Sequence, residues 1–580
     1  MEQNSDMKNG QGFSQAQQAQ QNSCGGQPQK PYVYGAQNPY VGQPMNLAQN
    51  APQNPPQNPP QNLYRNPQMP PQRITKRAKH EYGKTEQIFA VLALVMGWIY
   101  AFVTPAATYT LGGLLFVWGI FGVTAAYLCL KGHTAGVLSL RPMVFAVSAL
   151  AMSVSFIVTE NGDIHSWAFF FCIIAYIYWV FTATGNSIER RLSDLFPLEL
   201  IKAAFVMPFS NFGSLVSATK GKKFGLTLLW TALGLMLAVI PTAIVCALLL
   251  YDEGFSELLK RIFERDISDV FSAAFKIVIG VPIGMYLFGM WISGVNHDNR
   301  QVLTEEKCRS VRTKLRFAPK ALVVAAIVPL LIVYVLFFIS QWKYYVSAFT
   351  GVLPAEYSYS EYARSGFFEL CAVSGINLFA LITAGLFMKR NADGKSVVMK
   401  LLAVIISLFT LVLIATALSK MAIYIGVYGL TQKRVYASWF MALLGMTFVT
   451  VILAQLFKRI NTVKVLLSMF IVMFGALALS NPDGIIAKYN VDAYIDGRIE
   501  EMDIDAMYDL GYSGVPEVAR LIEWNKTSGT LDAATRADAM SYLVNMSREM
   551  CENERNIFSY NIQTSLAEHI LKDLGYKTRP

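Results

Sequence analysis

About eleven apolar runs constrain this chain more than any other feature, because each approaches the roughly 20 helical residues that cross a hydrocarbon core of about 30 Å. They fall near 87–104, 111–130, 143–159, 166–184, 224–250, 277–295, 321–340, 367–388, 400–418, 436–457 and 463–480. Inside hydrocarbon no water pairs with the backbone, so each segment must satisfy its own N–H and C=O groups, and a helix does so. The expected fold is therefore all-α: a polytopic transmembrane helical bundle with a disordered N-terminal tail and a small C-terminal helical domain. The composition agrees, with 15% charged residues against about 25% in a soluble chain.

Three regions follow. Residues 1–83 are rich in Gln, Asn and Pro and carry too little apolar content to offset the entropy of ordering, so a disordered tail is expected. It ends in a basic patch of Arg73, Lys76, Arg77, Lys79 and Lys84, suited to anchoring topology and to anionic headgroups. Residues 84–480 hold the spans. Residues 481–580 carry helical periodicity at Val518, Leu521 and Ile522, at Met540, Leu543 and Val544, and at Ile562, Leu566, Ile570 and Leu571. No cleavable leader opens the chain, so the first span is expected to serve as the targeting signal.

The net charge of +10 does not imply nucleic acid, because the basic residues sit in short connectors beside apolar runs. Connectors 131–142, 185–223, 296–320, 389–399 and 458–462 are basic, whereas 105–110 is uncharged and 160–165 carries only Glu160 and Asp163. The positive-inside rule then places the N-terminus in the cytoplasm and, after an odd number of spans, the C-terminal helices outside. Lys420, Lys433 and Arg434 depart from the pattern. The expected partners are the lipid bilayer and proteins that engage the tail. Segment 188–223 is amphipathic, which fits either an in-plane interfacial helix or a loop helix packed on the bundle.

Catalytic signatures are sparse. The sequence has no phosphate loop and no H-E-x-x-H zinc motif. Its seven cysteines form no C-x-x-C pair, and none of its five histidines lies deep in an apolar run. No cofactor and no metal is expected.

Three polar stretches remain. In the first, Glu369 begins inside an apolar run, preceded by Glu361 and Arg364 and followed by Asn377. An ionisable group in a span faces a cavity or a partner charge, so Glu369 is either a proton- or cation-binding group, gated by Arg364 and lined by Asn377, or half of a structural ion pair. The second contains Tyr428, Thr431, Lys433, Arg434 and Tyr436, a re-entrant or interfacial hairpin that serves either as an anion or headgroup site or as an aromatic belt with snorkelling bases. The third, Asn481-Pro482-Asp483 with Asn490, reads as a helix stop and docking junction. In the sixth run, Gly280, Pro282, Gly284 and Gly289 form a small-residue face and a kink, suited either to close helix packing or to a moving hinge.

The runs around Glu361-Tyr-Ala-Arg364 and Gly366-Phe-Phe-Glu369, the Tyr428-Gly-Leu-Thr431 segment and Asn481-Pro-Asp483 followed by Asn490 resemble those of a bacterial membrane family of unknown function, DUF4173, related to the DUF4153 group. The resemblance implies a bacterial inner-membrane location and carries no activity. The expected role is envelope sensing, scaffolding or signalling. The alternatives are a secondary transporter or channel that uses Glu369 and, behind it, a lipid- or glycan-modifying enzyme with surface acids such as Glu361 or Asp483.

Overall fold

The computed structural model describes residues 82–103, 110–189, 191–218, 245, 249, 267–297, 304–340, 342, 367–389, 397–457, 459–552 and 557–578. Lys79–Pro580 forms one compact unit. The expected tail and the expected span at 224–250 lie outside the described residues, apart from isolated positions.

The membrane part begins with α1 (Lys84–Val103), α2 (Leu111–Leu130), α3 (Leu140–Val158) and α4 (Gly162–Ala183). A composite helix, α5 (Phe196–Ala218), precedes α6 (Ile267–Asn296) and the polar α7 (Glu305–Leu315). The rest comprises α8 (Lys320–Ser340), α9 (Phe367–Phe387), α10 (Val397–Tyr428), α11 (Gln432–Leu456) and α12 (Thr462–Leu479). Ten helices among the described residues are long and apolar enough to cross a membrane, drawn from α2 to α6 and α8 to α12. The chain is an all-α polytopic membrane protein. Among the described residues the longer helices α13 (Pro482–Ile495), α14 (Val515–Ser528), α15 (Ala533–Glu552) and α16 (Ile562–Asp573) close it.

Glycines set the closest helix contact. A Cβ on Gly97 of α1 would stand 2.6 Å from the backbone nitrogen of Gly284, and one on Gly284 of α6 would stand 2.8 Å from Leu94 Cα. Backbones that near exclude any side chain, so the small-residue face expected on α6 is a packing face. Gly289 serves α5 instead, its Cβ position lying 2.5 Å from Pro208 O. Aromatic residues fill the space around this pair: Tyr127 stacks on Trp291 at 5.7 Å, and Phe121 on Trp179 at 4.8 Å.

Two expected elements differ. The hairpin foreseen around Tyr428 is a plain helix–turn–helix, because α10 runs unbroken through Lys420 to Tyr428. Gly429 ends it at φ 72°, and the Thr431 side chain caps α11 by accepting from Arg434 N. Segment 188–223 contains α5, which meets the length and hydropathy of a span. Its contacts start from one end of the bundle. Glu199 binds Arg141 and Tyr178, Ala204 O accepts from Tyr286, and Asn211 donates to Ser293. Tyr178 and Ser293 lie near the last turns of α4 and α6 while Tyr286 lies well inside α6, so α5 enters the bundle from this end. A π-helical turn, Lys202–Val206, lies midway along it.

That end also gathers Lys131, Arg141, Lys202 and Arg312, and is hereafter the basic face. The opposite end collects the start of α2, the end of α3, the start of α4, the α10–α11 turn and the end of α12, and the C-terminal helices dock there. Those helices share a core of Ile486, Val491, Met507, Leu521, Leu543 and Leu571, which Leu430 and Val435 of the bundle join.

Candidate functional site

The docking face is built by asparagines at helix starts. An N-cap side chain satisfies one of the four N–H groups a helix leaves unpaired, and Asn is among the strongest caps. Asn161 Oδ1 accepts from Ile164 N at 3.0 Å to start α4. Asn561 Oδ1 accepts from Gln563 N at 2.8 Å to start α16. Asn481, in the left-handed region at φ 49°, starts α13 and accepts from Gly484 N. Capping uses the amide oxygen and leaves the nitrogen to donate elsewhere. Asn161 Nδ2 donates to both carboxylate oxygens of Asp483, at 2.9 and 3.0 Å, and Asn561 Nδ2 donates to Thr159 O at 2.7 Å. Two of the caps thus also cross between the bundle and the C-terminal helices.

The crossing is reciprocal. Asp483, from the C-terminal side, accepts from the bundle residues Asn161 and Gln432, the latter at 3.0 Å. Glu160, from the α3–α4 turn of the bundle, accepts from Tyr512 N at 3.2 Å and from the Thr564 hydroxyl on the C-terminal side. Gln432 also donates to Asp509 O at 2.9 Å. Asn490 grips the α10–α11 turn, accepting from Leu430 N at 2.6 Å and donating to Leu430 O at 2.8 Å. A Cβ on Gly429 would stand 2.5 Å from Asn490 Oδ1.

Between these contacts lies a cavity of about 780 Å³. Among the described residues its wall carries the carboxylates of Glu160, Asp163, Asp483, Asp509 and Glu549, with no lysine or arginine. Burial pushes the Glu160 carboxyl up to about 7, and the charges of Asp483 and Glu549 act in the same direction against the donors Thr564 and Tyr512. Burial likewise raises Asp483 to about 6, with the Asp163 charge adding and the Gln432 and Asn161 donors opposing. Two acids therefore change charge close to neutral pH, and each spans the junction. Among the described residues no group of His, Cys, Asp and Glu is placed to hold a metal ion.

The sequence-nominated residues divide. Asp483, Asn481 and Asn490 come together at the junction. Tyr436 packs against the bundle core, near enough to Asp483 for that charge to act on it. Arg434 caps the end of α10, donating to Tyr428 O at 2.8 Å with its guanidinium 4.2 Å from the Tyr424 ring, while Lys433 is exposed. Glu361 and Arg364 lie outside the described residues. Glu369 is exposed on the first turn of α9, whereas Asn377 is buried in a separate chain of hydrogen bonds. There Tyr334 OH donates to Asn377 Oδ1 at 2.6 Å, and Asn377 Nδ2 donates to Thr410 Oγ1 at 2.9 Å. Glu369 acts electrostatically on Lys420 of α10, which is fully buried.

Glu160, Asn161, Gln432 and Asn561 were not foreseen. Their one sequence signal is an Asn or a polar residue opening an apolar helix. A second buried network holds the basic face: Glu199, 1% exposed, accepts from Tyr178 OH at 2.6 Å, Ile188 N at 2.8 Å and Arg141. Both of its carboxylate oxygens are engaged, which marks it as a structural pin for α5.

No curated protein and no solved structure is similar enough to match. The model of a domain of unknown function, DUF4153, matches residues 146–521, from within α3 to within α14, so that it takes in Glu160, Asn161, Gln432, Asp483, Asn490 and Tyr512. The match spans well over half of the 580 residues, and the chain belongs to the DUF4153 family.

Proposed function

We propose that this protein is a sensing or signalling component of a bacterial inner membrane, in which the C-terminal helices are a latched module that reports on conditions at their own face. The observation that supports this most is the reciprocal pair of carboxylates, Glu160 held by the C-terminal side and Asp483 held by the bundle. A purely structural joint would place its strongest contacts in apolar packing. Here titratable groups sit at the joint around a polar cavity. The basic residues gathered at the opposite end fit a cytoplasmic location for that end, which puts the latch outside and the N-terminal tail inside with its protein partners. The resemblance to DUF4173 fits the same setting.

The test is crosslinking in cells of the full chain, compared with Glu160→Gln and with a chain lacking residues 1–83. A sensing role predicts that the partner set changes with Glu160→Gln and is lost with the tail. An identical partner set in all three would contradict it.

A second reading, a secondary transporter or channel, is favoured by one observation. Lys420 is fully buried in a membrane helix under the influence of Glu369, and the Tyr334–Asn377–Thr410 chain links that same helix to two others. Charges in spans mark ion pathways by default. It predicts that Glu369→Gln abolishes a proton- or cation-coupled flux while insertion stays normal. Lower abundance alone would return Glu369 to a structural role.

A further inference from the structure

We infer that the turn Ile557–Ser559 and the residues after it form a membrane-surface anchor, through which the C-terminal helices dip apolar side chains into the bilayer leaflet beside α2. The position of the turn is fixed by two hydrogen bonds. Thr110 Oγ1 donates to Phe558 O at 2.6 Å, and Leu111 N donates to Tyr560 O at 3.1 Å. Leu111 is the first residue of α2, a span of 20 residues. At 1.5 Å per residue such a helix covers about 30 Å, the thickness of the hydrocarbon core. Leu111 therefore marks the edge of the hydrocarbon, and the turn sits at that edge.

The segment Ile557-Phe-Ser-Tyr-Asn-Ile562 carries no charge. Ile557 is 80% exposed and Phe558 53%, with Tyr560 also exposed. In water such a cluster would be costly, since its apolar surface would stay hydrated. At a bilayer boundary the same residues gain apolar surroundings, and Tyr560 suits the headgroup level. The first turns of α2 after Leu111 also carry exposed apolar side chains, Leu115 and Trp118. The partner is accordingly the lipid of the protein's own membrane. This inference is independent of the sensing role, because it depends only on depth and exposure.

The experiment uses full-length protein in nanodiscs with the exposed Cys129 and Cys551, and Cys24 of the tail, changed to Ser. An environment-sensitive fluorophore is attached at Ile557→Cys, at Phe558→Cys in a second preparation, and at exposed Lys526→Cys as a control. Lipid bearing a nitroxide near the headgroup is expected to quench the probe at 557 and 558 several-fold more than at 526, while aqueous iodide quenches the control more. Equal iodide access at all three sites, without nitroxide quenching, would overturn the anchor. Shielding at 557 without nitroxide quenching would also overturn it, by assigning the patch to a second copy or to another protein.

Discussion

Asn161 and Asp483 are 322 positions apart in the chain, yet one Asn161 nitrogen donates to both oxygens of that carboxylate, at 2.9 and 3.0 Å. The same Asn161 caps α4 through its oxygen. One side chain therefore starts a membrane helix and ties it to the segment that leaves the last one. Asn161→Ala should lose both functions: about 1 kcal/mol for the cap and about 1.5–3 kcal/mol for a bond to a charged group. Asn161→Ser restores the cap but not the reach to Asp483. Thermal unfolding in nanodiscs should rank wild type, Ser and Ala in that order, and equal values for Ser and wild type would remove the latch contact.

The pH dependence has a defined sign. Glu160 and Asp483 are raised to about 7 and about 6 when docked, from ordinary values of 4.5 and 3.8. The docked state therefore holds more protons than a released one through this interval, and protonation favours docking. The stabilisation is complete below about pH 4 and is lost as pH rises through about 6 and then about 7. Asp163, Asp509 and Glu549 also line the cavity. Limited proteolysis of the C-terminal helices should therefore be faster at about pH 8 than at about pH 5, after correction for protease activity. Glu160→Gln, which cannot ionise, should flatten the difference.

At the α10–α11 turn, Gly429→Ala should be destabilising. Its φ of 72° costs a side chain about 1–2 kcal/mol, and its Cβ would stand 2.5 Å from Asn490 Oδ1. Gly426, three residues earlier inside α10, has nothing within 4 Å of its Cβ position. Gly426→Ala should be neutral or stabilising by up to about 1 kcal/mol. A melting comparison of the two variants separates the local strain from a general intolerance of the helix.

On the basic face, Arg141→Ala leaves Glu199 buried without its ion partner and should cost about 3–5 kcal/mol. Replacing both residues with apolar ones, Arg141→Met with Glu199→Leu, should recover much of that loss, since an intact buried pair contributes little net stability. A double-mutant cycle on unfolding checks this. A double variant as unstable as the sum of the singles would show that the two residues act separately.

The spans were legible because their signal is local: apolar length in a run of about 20 residues needs no knowledge of the fold. The Asn481-Pro482-Asp483 stop was legible for the same reason. Asp483's partner was not, because nothing in the sequence around Asn161 marks a contact 322 positions away. Glu160 reads as one acid in a short connector, and its shift toward neutrality arises from burial at the junction, against the Thr564 and Tyr512 donors. Lys420 was read into a connector because its charge interrupts the apolar count. The helix continues past it, since a helix backbone is satisfied internally whatever its side chains carry. Segment 196–218 illustrates the same limit, an apolar helix long enough to span whose polar partners Arg141, Tyr178, Tyr286 and Ser293 come from distant helices.

The most direct test of the latch is hydrogen exchange of full-length protein in nanodiscs across about pH 5 to 8, corrected for the intrinsic pH dependence of exchange. The backbone N–H of Tyr512, which donates to Glu160, and the helix α13 around Asp483 are the reporters. Protection in these segments should fall as pH rises through about 6 to 7 and should remain high in the Glu160→Gln, Asp483→Asn double variant, while the core of α4 stays unchanged. Protection that does not vary with pH in the wild type, or that falls equally in the double variant, would contradict a junction governed by these two carboxyl groups.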